Sequence, residues 1–356
     1  MLTDEFDYPL DEAAIAASGA EPRDSARLMV DDPTRPPWEA TNHTVADLAD
    51  LLRPDDLVVF NDTRVLPARI RFRRSTGGVG EVLLLEPDER DPAERGWWEA
   101  LVRPSSRLRP GVAERLDPST TVEFGADLGR GRRLVRLLDV DGRALSGDAL
   151  IERLELLGEM PLPPYLGSVV VEDPERYQTV FSRRPASAAA PTAGLHFTPG
   201  LLDRIAGRGI ETVRVELVVG LGTFRPMTAA TVEEHEMHAE HYRVAPLVWE
   251  RILAARATGR RVVAVGTTVV RTLEAAATTG RTAGSTDLFV RRGHRWKVVD
   301  VLLTNFHLPR SSLLVMVDAF VGPRWRDLYL EAGRRGYRFL SFGDAMLLTR
   351  SDMLCD

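Results

Sequence analysis

The spacing of hydrophobic and polar positions near the start of the chain predicts a short helix followed by a buried strand. Residues 44–53 place apolar side chains at helical spacing behind a Thr-x-x-Asp pattern, and Pro54 ends the run. Residues 57–60 are all apolar, which is typical of a strand buried on both faces. Because this strand leads directly into the polar residues 61–64, we expect polar side chains to lie at its end.

Between residues 65 and 155 the pattern changes to short apolar or alternating runs separated by Gly, Pro, Asp and Arg turns. The runs cover residues 82–85, 97–102, 121–124 and 134–140. Such spacing is typical of an all-β domain, and closure into a small barrel would remove its exposed edges. The Pro-rich residues 160–165 follow as a stiff connector.

The remainder of the chain alternates strands and helices. Strands are predicted at 210–219, 261–265, 298–303 and 313–319, and helices at 246–256 and from Thr267 through Ala277. The strand at 261–265 leads through Gly266 into a helix, a geometry that presents free backbone N–H groups to a phosphate or carboxylate.

These patterns predict a multidomain α+β protein. A mixed α/β body would be formed by residues 1–64 and 156–356, and a small β-barrel domain would be inserted over residues 65–155.

His196 lies in the run AAPTAGLHFTP at residues 189–199, just before a predicted helix. Thr198 suits the N-cap and Pro199 the first turn, so we predict a helix from Leu201 to Ala206. The partial positive charge of backbone N–H groups there favours an anion and disfavours protonation of a nearby imidazole. An isolated histidine at such a position is more often hydrogen-bonded in a turn.

Residues 235–242, HEMHAEHY, place three histidines and two carboxylates close together. The stretch lacks the His-Glu-x-x-His spacing of a helical zinc site, which disfavours a metal site. A surface patch and a role in proton transfer or substrate binding both stay open.

The run TNFHLP at residues 304–309 also sets an amide and an imidazole after an apolar strand, although His307 taken singly is typical of a structural cap. The glycine turn GLGTF at 220–224 would allow close approach of a ligand, but it does not match the dinucleotide fingerprint Gly-x-Gly-x-x-Gly. No phosphate loop and no Gly-x-Ser-x-Gly elbow occurs, which disfavours nucleotide hydrolysis and serine hydrolase chemistry.

Composition and charge narrow the class of protein further. The chain has 356 residues, of which 44% are hydrophobic, enough for two globular domains. It has no secretory leader pattern and no apolar run of membrane-spanning length, so we expect a cytoplasmic protein with no membrane partner. The single cysteine, Cys355, excludes an internal disulfide and a cysteine-based metal site.

The net charge of −6 argues against a generally basic nucleic-acid-binding surface. Local arginine clusters occur at 69–74, 103–109, 130–136 and 291–295, and Lys297 is the only lysine. Because arginine is the default cation of this chain, these clusters leave both solvated surface and phosphate contacts open.

Nine motifs together resemble the S-adenosylmethionine:tRNA ribosyltransferase-isomerase family of queuosine biosynthesis. They are NDTRVLPAR at 61–69, MPLPPY at 160–165, RYQTV at 176–180, APTAGLHF at 190–197, GLGTF at 220–224, MHAE at 237–240, VGTT at 265–268, TNFHLP at 304–309 and GDAM at 343–346. The resemblance runs from Phe6 to Asp344 in the family's order, nearly the whole chain.

The resemblance implies an α/β body with an inserted β-barrel. It also implies transfer of the ribosyl part of S-adenosylmethionine to 7-aminomethyl-7-deazaguanine (preQ1) at the tRNA wobble position, with rearrangement to an epoxy-cyclopentane and release of adenine and methionine. S-adenosylmethionine is then a co-substrate, no metal is expected, and the partner is a tRNA anticodon loop carrying preQ1. We expect a monomer.

This reaction needs proton carriers, because protons next to a sulfonium are acidified and adenine must be protonated or hydrogen-bonded to leave. On the matched motifs, His196 is expected as general base or acid. The other expected proton carriers and the orienting or cation-stabilising carboxylates are His235, His238, His307, Glu240 and Asp62.

Binding residues follow from the same motifs. The nucleoside and the methionine carboxylate are expected to be held by Thr192, Gly222, Thr223, Thr267, Thr268 and Asn305. Arg64 is a candidate for a phosphate or carboxylate contact through its planar guanidinium. Tyr165, Tyr177 and Gln178 are expected at the acceptor base, where each tyrosine is equally a stacking platform or a core residue.

The chain departs from the family pattern at five positions inside or beside the motifs. Val218 stands where the family usually has histidine, Ala186 for glycine, Val269 and Asp318 for serine, and Phe342 for tyrosine. Two alternatives therefore stay open: a paralogue that uses S-adenosylmethionine with a small-molecule acceptor, and a non-catalytic tRNA-binding or ligand-binding protein. Release of adenine separates an enzyme from a binder.

Overall fold

The computed structural model describes residues 1–88, 96–166, 173–220 and 226–351, which form two compact units. The first unit comprises Met1–Thr63, Pro164–Arg184 and Ala190–Asp356, and the second comprises Arg64–Pro163 and Pro185–Ala189. The mixed α/β architecture with a barrel-like β domain agrees with the fold class predicted from the sequence.

The described residues form seventeen strands and seven α-helices, with short 3-10 turns between them. The strands are β1 (Arg27–Val30), β2 (Thr41–Thr44), β3 (Leu57–Asn61), β4 (Thr63–Val65), β5 (Arg69–Arg73), β6 (Val79–Pro87), β7 (Trp98–Arg103), β8 (Ala113–Asp117), β9 (Thr120–Gly129), β10 (Arg132–Leu138), β11 (Arg184–Ser187), β12 (Glu211–Leu217), β13 (Glu240–Arg243), β14 (Val262–Val265), β15 (Ala283–Thr286), β16 (Val301–Asn305) and β17 (Ala345–Thr349). The helices are α1 (Leu48–Leu51), α2 (Gly147–Leu157), α3 (Pro199–Gly207), α4 (Pro246–Ala257), α5 (Thr267–Thr279), α6 (Ser312–Val321) and α7 (Trp325–Arg334).

The first unit is built on a nine-stranded mixed sheet in the order β15-β13-β12-β3-β14-β16-β17-β1-β2. The four consecutive strands β12, β3, β14 and β16 are parallel to one another. Their carboxyl ends therefore meet at one edge of the sheet, which is where open α/β sheets bind their ligands.

The core of this sheet is apolar on both faces. Every residue of β3, β14 and β16 is buried, as expected for parallel strands covered by helices. The ring of Phe60 lies 4.7 Å from that of Phe181 and 5.0 Å from that of Phe197, which joins the strand to the loop before α3.

Two of the four predicted helix starts, at Thr198 and Thr44, are confirmed by side-chain caps. The Thr198 side chain accepts a hydrogen bond from the Leu201 backbone N–H, and Pro199 opens α3. Thr44 and Asp47 form the predicted capping box before α1. α4 and α5 begin and end within two residues of the predicted bounds.

The strand predicted at 313–319 is wrong, because these residues form helix α6. The helix is buried on nearly every side, so its sequence has no polar stripe to reveal a helical period, and a short apolar run fits either structure. Its start is marked by Ser311, whose hydroxyl accepts a hydrogen bond from Leu314 N–H. The strand predicted at 298–303 begins only at Val301.

The second unit holds a six-stranded antiparallel sheet in the order β5-β6-β7-β10-β9-β8, which nearly closes into a barrel. Helix α2, which was not predicted, follows the last strand. At Gly158 a Cβ atom would lie 1.7 Å from the Pro67 carbonyl oxygen, so only glycine fits at this position. Among the described residues of both units, no helix is long and apolar enough to cross a bilayer.

Candidate active site

The carboxyl ends of the parallel strands line a pocket, here called pocket A. Val219 follows β12, Gly266 follows β14, and Asn305 ends β16. The other residues of the lining are Ala190, Pro191, Thr192, Ala193, Thr267, Thr268, Thr304, His307 and Leu313. Pocket A therefore contains four threonine hydroxyls, an amide and an imidazole at the edge where the strand topology predicts a ligand.

Gly266 and helix α5 form one wall of pocket A. Gly266 has a φ of +94°, which a residue with a side chain rarely adopts, and its missing Cβ would lie 3.6 Å from the Thr268 hydroxyl. That hydroxyl is buried and has no hydrogen-bond partner among the described residues. With the first N–H groups of α5, it gives this wall donors for a polar or anionic ligand group.

Asn305 connects the histidine loop to the sheet. Its Oδ1 accepts a hydrogen bond from the Thr192 hydroxyl at 3.0 Å, and its Nδ2 lies 3.0 Å from His196 Nε2 and 3.2 Å from the Leu340 carbonyl oxygen. Because an amide N–H only donates, His196 Nε2 accepts, and a neutral ring then carries its hydrogen on Nδ1. Asn305 thus fixes both the orientation and the tautomer of His196.

Both buried histidines are uncharged at neutral pH. Burial, with the charges of Arg338 and Arg23, lowers the pKa of His196 to about 4. Burial lowers the pKa of His307 to about 3, and its Nε2 lies 2.9 Å from the Thr304 hydroxyl. The sequence predicted that protonation of His196 is disfavoured, and the lowered pKa agrees with that direction. Its largest cause is burial, not the nearby helix N-terminus.

A second pocket, pocket B, shares Thr192, Asn305 and His307 with pocket A. Tyr165 lines it and makes a short hydrogen bond with the Ser341 hydroxyl, while burial raises the pKa of Tyr165 to about 12.

A third pocket, pocket C, shares Ser341 with pocket B and contains His196. Its lining is Gly19, Ala20, Arg23, Arg176, Leu195, His196, Ser341 and Phe342. His196 and His307 therefore line different pockets, joined through Asn305.

The stretch 235–242 contributes no lining residue to pocket A, B or C. His238 is exposed, His235 is half-buried against Phe289, and neither lines pocket A, B or C. Glu240 is buried in a short hydrogen-bonded ion pair with Arg271 of α5 and accepts from the Gly220 N–H at 3.0 Å. In the described part of the chain, no group of three or more His, Cys, Asp or Glu side chains is placed to hold a metal.

The remaining predicted site residues have separate positions. Asp62 follows β3, and burial raises its carboxyl pKa although Arg183 lies 3.7 Å away. Arg64 belongs to the second unit. Tyr177 has no exposed surface and packs edge-on against Phe342, which matches the core interpretation of this tyrosine, and Gln178 is buried beside it. Gly222 and Thr223 lie outside the described residues.

Several pocket residues had no sequence signal. Arg23 and Ser341 line pockets B and C but lie in no cluster that the hydrophobic pattern or the motif spacing marks as chemical, and Arg176 opens the motif RYQTV but was not a candidate site residue. They meet only because the fold brings three distant segments together.

Two of the departures from the family pattern have a packing explanation. Asp318 accepts two hydrogen bonds from Arg292 and one from the Trp325 indole, so its buried charge is paired. Val269 is fully buried in α5.

Comparison with known proteins gives one consistent result. A family model described as "Queuosine biosynthesis protein" matches residues 3–348. A protein from Moorella thermoacetica named S-adenosylmethionine:tRNA ribosyltransferase-isomerase is 47% identical over 366 aligned residues, covering 98% of this chain and 100% of the relative. A protein of the same name from Thermus thermophilus is 47% identical, covering 96% of this chain and 98% of the relative.

A solved structure agrees with these sequence matches. The crystal structure of S-adenosylmethionine tRNA ribosyltransferase from Thermotoga maritima is 33% identical, with a TM-score of 0.54, and covers 96% of this chain and 99% of that one. The match at this coverage confirms the resemblance carried by the nine motifs. The chain belongs to the queuosine biosynthesis family of S-adenosylmethionine:tRNA ribosyltransferase-isomerases.

Proposed function

We propose that this chain transfers the ribosyl group of S-adenosylmethionine to preQ1 in tRNA, isomerises it, and carries out this chemistry in pockets A and B. Family membership over the whole chain supports the reaction. The observation that carries the location is Asn305, which joins Thr192 of one pocket wall to His196 and lines both pockets beside His307.

Pocket A suits the nucleoside and the methionine carboxylate of S-adenosylmethionine. Thr192, Thr267 and Thr268 supply hydroxyl groups, and the start of α5 supplies backbone N–H donors for a carboxylate. The unpartnered hydroxyl of Thr268 would gain a hydrogen bond from such a ligand, which removes the cost of its burial.

The two histidines differ in what they offer the reaction. His307 lines both pockets, and this position makes it our candidate to accept the proton released next to the sulfonium. His196 has its Nε2 engaged by Asn305, which leaves Nδ1–H as a hydrogen-bond donor. The predicted roles of His235, His238, Glu240 and Asp62 gain no support from these pockets.

The acceptor base is proposed to enter pocket B next to Tyr165. A wobble base in an anticodon loop is unstacked easily, and aromatic rings are its usual platform in proteins. Action on tRNA implies a cytoplasmic enzyme, and because each chain carries all three pockets a monomer suffices.

Incubation of the protein with S-adenosylmethionine and preQ1-containing tRNA tests the proposal, with adenine release and tRNA nucleoside mass as readouts. We expect stoichiometric adenine and a nucleoside heavier by the rearranged ribosyl group. Adenine release without tRNA, on a small acceptor, would indicate the paralogue instead. Tight tRNA binding without adenine would indicate a binding protein and contradict the proposal.

The substitution Asn305→Asp tests the assignment of the site. It preserves size but removes the N–H donor to His196, and it places a carboxylate where burial disfavours charge. We expect the kcat of adenine release to fall by about 10²-fold or more. Asn42→Asp is the matched control, because Asn42 is exposed and uses only its oxygen as an acceptor in the described contacts. Equal rates for both variants would contradict this location.

A further inference from the structure

Pocket C brings two guanidinium groups to one concave surface beside His196. Arg23 comes from the N-terminal segment and Arg176 from the 3-10 turn Pro174–Tyr177. The pocket has no acidic residue among its eight lining residues. The proposed chemistry in pockets A and B does not explain this concentration of positive charge.

The two guanidinium groups are held in fixed positions by backbone carbonyls. Arg23 donates to the carbonyl oxygens of Gln178 at 2.5 Å and Glu175 at 2.6 Å, and Arg176 donates to that of Ala20 at 2.9 Å. Each arginine thus joins the segment that carries the other. Because side chains fixed in advance lose little entropy on binding, the arrangement favours an anion at this surface.

Three exposed carboxylates outside the pocket lining lie near the two guanidinium groups. Burial and the charge of Arg176 lower the pKa of Arg23, whose field also acts on His196 together with that of Arg338. Opposite charges come from Glu21, which pairs with Arg176 at 2.7 Å, and from Asp173 and Glu175 near Arg23. The Glu21 side chain is 78% exposed, so solvent screens much of its effect.

Gly19 distinguishes a binding pocket from a purely structural contact between two segments. It has no left-handed φ that would require glycine, yet a Cβ there would lie 3.4 Å from Arg176 Nη2 and 3.6 Å from the Phe342 ring. A structural contact would gain from a side chain that covers the arginine. Because glycine stands there, the guanidinium lines the pocket while it also contacts Ala20 and Glu21.

We infer that pocket C binds a backbone phosphodiester of the tRNA substrate, an inference that rests on the proposed function. Each terminal guanidinium nitrogen carries two N–H groups, and those not used by the backbone carbonyls suit phosphate oxygens as acceptors. The methionine end of S-adenosylmethionine fits less well, because its ammonium group would lie beside two guanidinium groups with no lining carboxylate to pair with it. A phosphodiester brings negative charge without an adjoining cation.

The pair Gly19→Asp and Gly19→Asn tests this inference, because the two side chains have equal size and differ in charge. Aspartate would pair with Arg176 and compete with the phosphate, while both arginine contacts to backbone carbonyls stay intact. We expect Gly19→Asp to raise the Kd and KM for preQ1-containing tRNA about tenfold and to lower the slope of log Kd against log salt by about 1. Gly19→Asn should change the Kd less than about threefold, by the same reasoning.

The KM for S-adenosylmethionine separates the two possible anions. We expect the KM for S-adenosylmethionine to stay within about twofold of the parent value in Gly19→Asp, since the aspartate charge affects only the binding of tRNA. A rise in this KM with an unchanged Kd for tRNA would instead assign the pocket to the methionine carboxylate and overturn the inference. Equal Kd values for the Asp and Asn variants would also overturn it.

The parent protein keeps this test separate from the proposed function. If the parent releases adenine with tRNA but both Gly19 variants bind tRNA alike, only the inference about pocket C fails. If the parent releases no adenine, the proposed function fails irrespective of the Gly19 results. Arg176→Gln, measured by the same salt titration, should lower the slope of log Kd for tRNA against log salt by as much as Gly19→Asp does.

Discussion

At the scale of single residues, burial decides the protonation of the two histidines that contact Asn305 and Thr304. His196 and His307 are almost fully buried, and the described residues around them offer hydrogen bonds to a neutral ring but no carboxylate that pairs with an imidazolium. From the place of His196 before a helix, the sequence predicted that protonation of its ring is disfavoured. The larger cause, the apolar packing around the ring, is visible only in the fold.

Acid should destabilise the protein through these histidines. Their folded pKa values of about 4 and about 3 lie below the unfolded value of 6.5, so the unfolded chain takes up protons first as the pH falls. The stability present above pH 6.5 is then lost progressively toward pH 4 for His196 and toward pH 3 for His307. We expect each histidine to lower the unfolding free energy by about 2 kcal/mol between pH 6.5 and pH 5, measured by urea unfolding at each pH.

Substitution assigns this loss to the histidines. His307→Gln should reduce the loss of unfolding free energy between pH 7 and pH 5 by about 2 kcal/mol. His241→Gln, at an exposed position, should leave the loss of unfolding free energy between pH 7 and pH 5 the same as in the parent. Identical pH profiles for the parent and His307→Gln would contradict a buried neutral ring.

At the scale of elements, helix starts with a local capping signal were the most predictable part of the structure. The capping residues Thr198 and Thr44 and the glycine turn before α5 follow from local chemistry, so their sequences alone indicated them. Helix α6 was not predictable in this way, because a helix buried on all sides has the same apolar pattern as a strand.

The Thr198 cap should contribute measurably to stability. Thr198→Ala removes the acceptor for the Leu201 N–H and the hydrogen bond to Asp24 at 2.8 Å, and we expect a loss of about 1 to 2 kcal/mol in unfolding free energy. Thr198→Ser retains the hydroxyl and should lose less than half as much. Equal losses in urea titrations would show that the methyl group, not the cap, is responsible.

The ion pair between β13 and α5 provides a second test at this scale. Glu240 and Arg271 are both buried, so Glu240→Leu or Arg271→Met alone removes one member of a buried ion pair and should cost about 3 to 5 kcal/mol in unfolding free energy. The double variant removes both charges, and we expect it to lose less than either single variant. A double loss equal to the sum of the two, measured by urea unfolding, would mean that the pair is not coupled.

At the scale of the whole molecule, the sequence predicted the class of architecture but not how the site is assembled. The motifs at 190–197 and 304–309 do meet at Asn305, as their shared chemistry suggested. The motif at 237–240 does not reach these pockets, because Glu240 turns inward to Arg271. Arg23 and Ser341 reach them from segments with no motif, and only long-range packing brings them there.

The two units should respond separately to a local defect. Gly158→Ala forces a Cβ against the Pro67 carbonyl within the second unit, so we expect faster amide hydrogen exchange in β5–β10 and little change in the nine-stranded sheet. Gly207→Ala is the control, since nothing lies within 4 Å of its Cβ position. Exchange that accelerates equally in both units would indicate a single cooperative unit.

The position of β17 between β16 and β1 has a consequence for biosynthesis. β1 is synthesised long before β17 leaves the ribosome. The Arg27 N–H can donate to the Asp344 carboxylate, 317 residues downstream, only after that. Until then both β1 and β16 expose an open hydrogen-bonding edge, which is a template for aggregation. Translation products that stop before Ala345 would keep those edges and become substrates for chaperones and proteases.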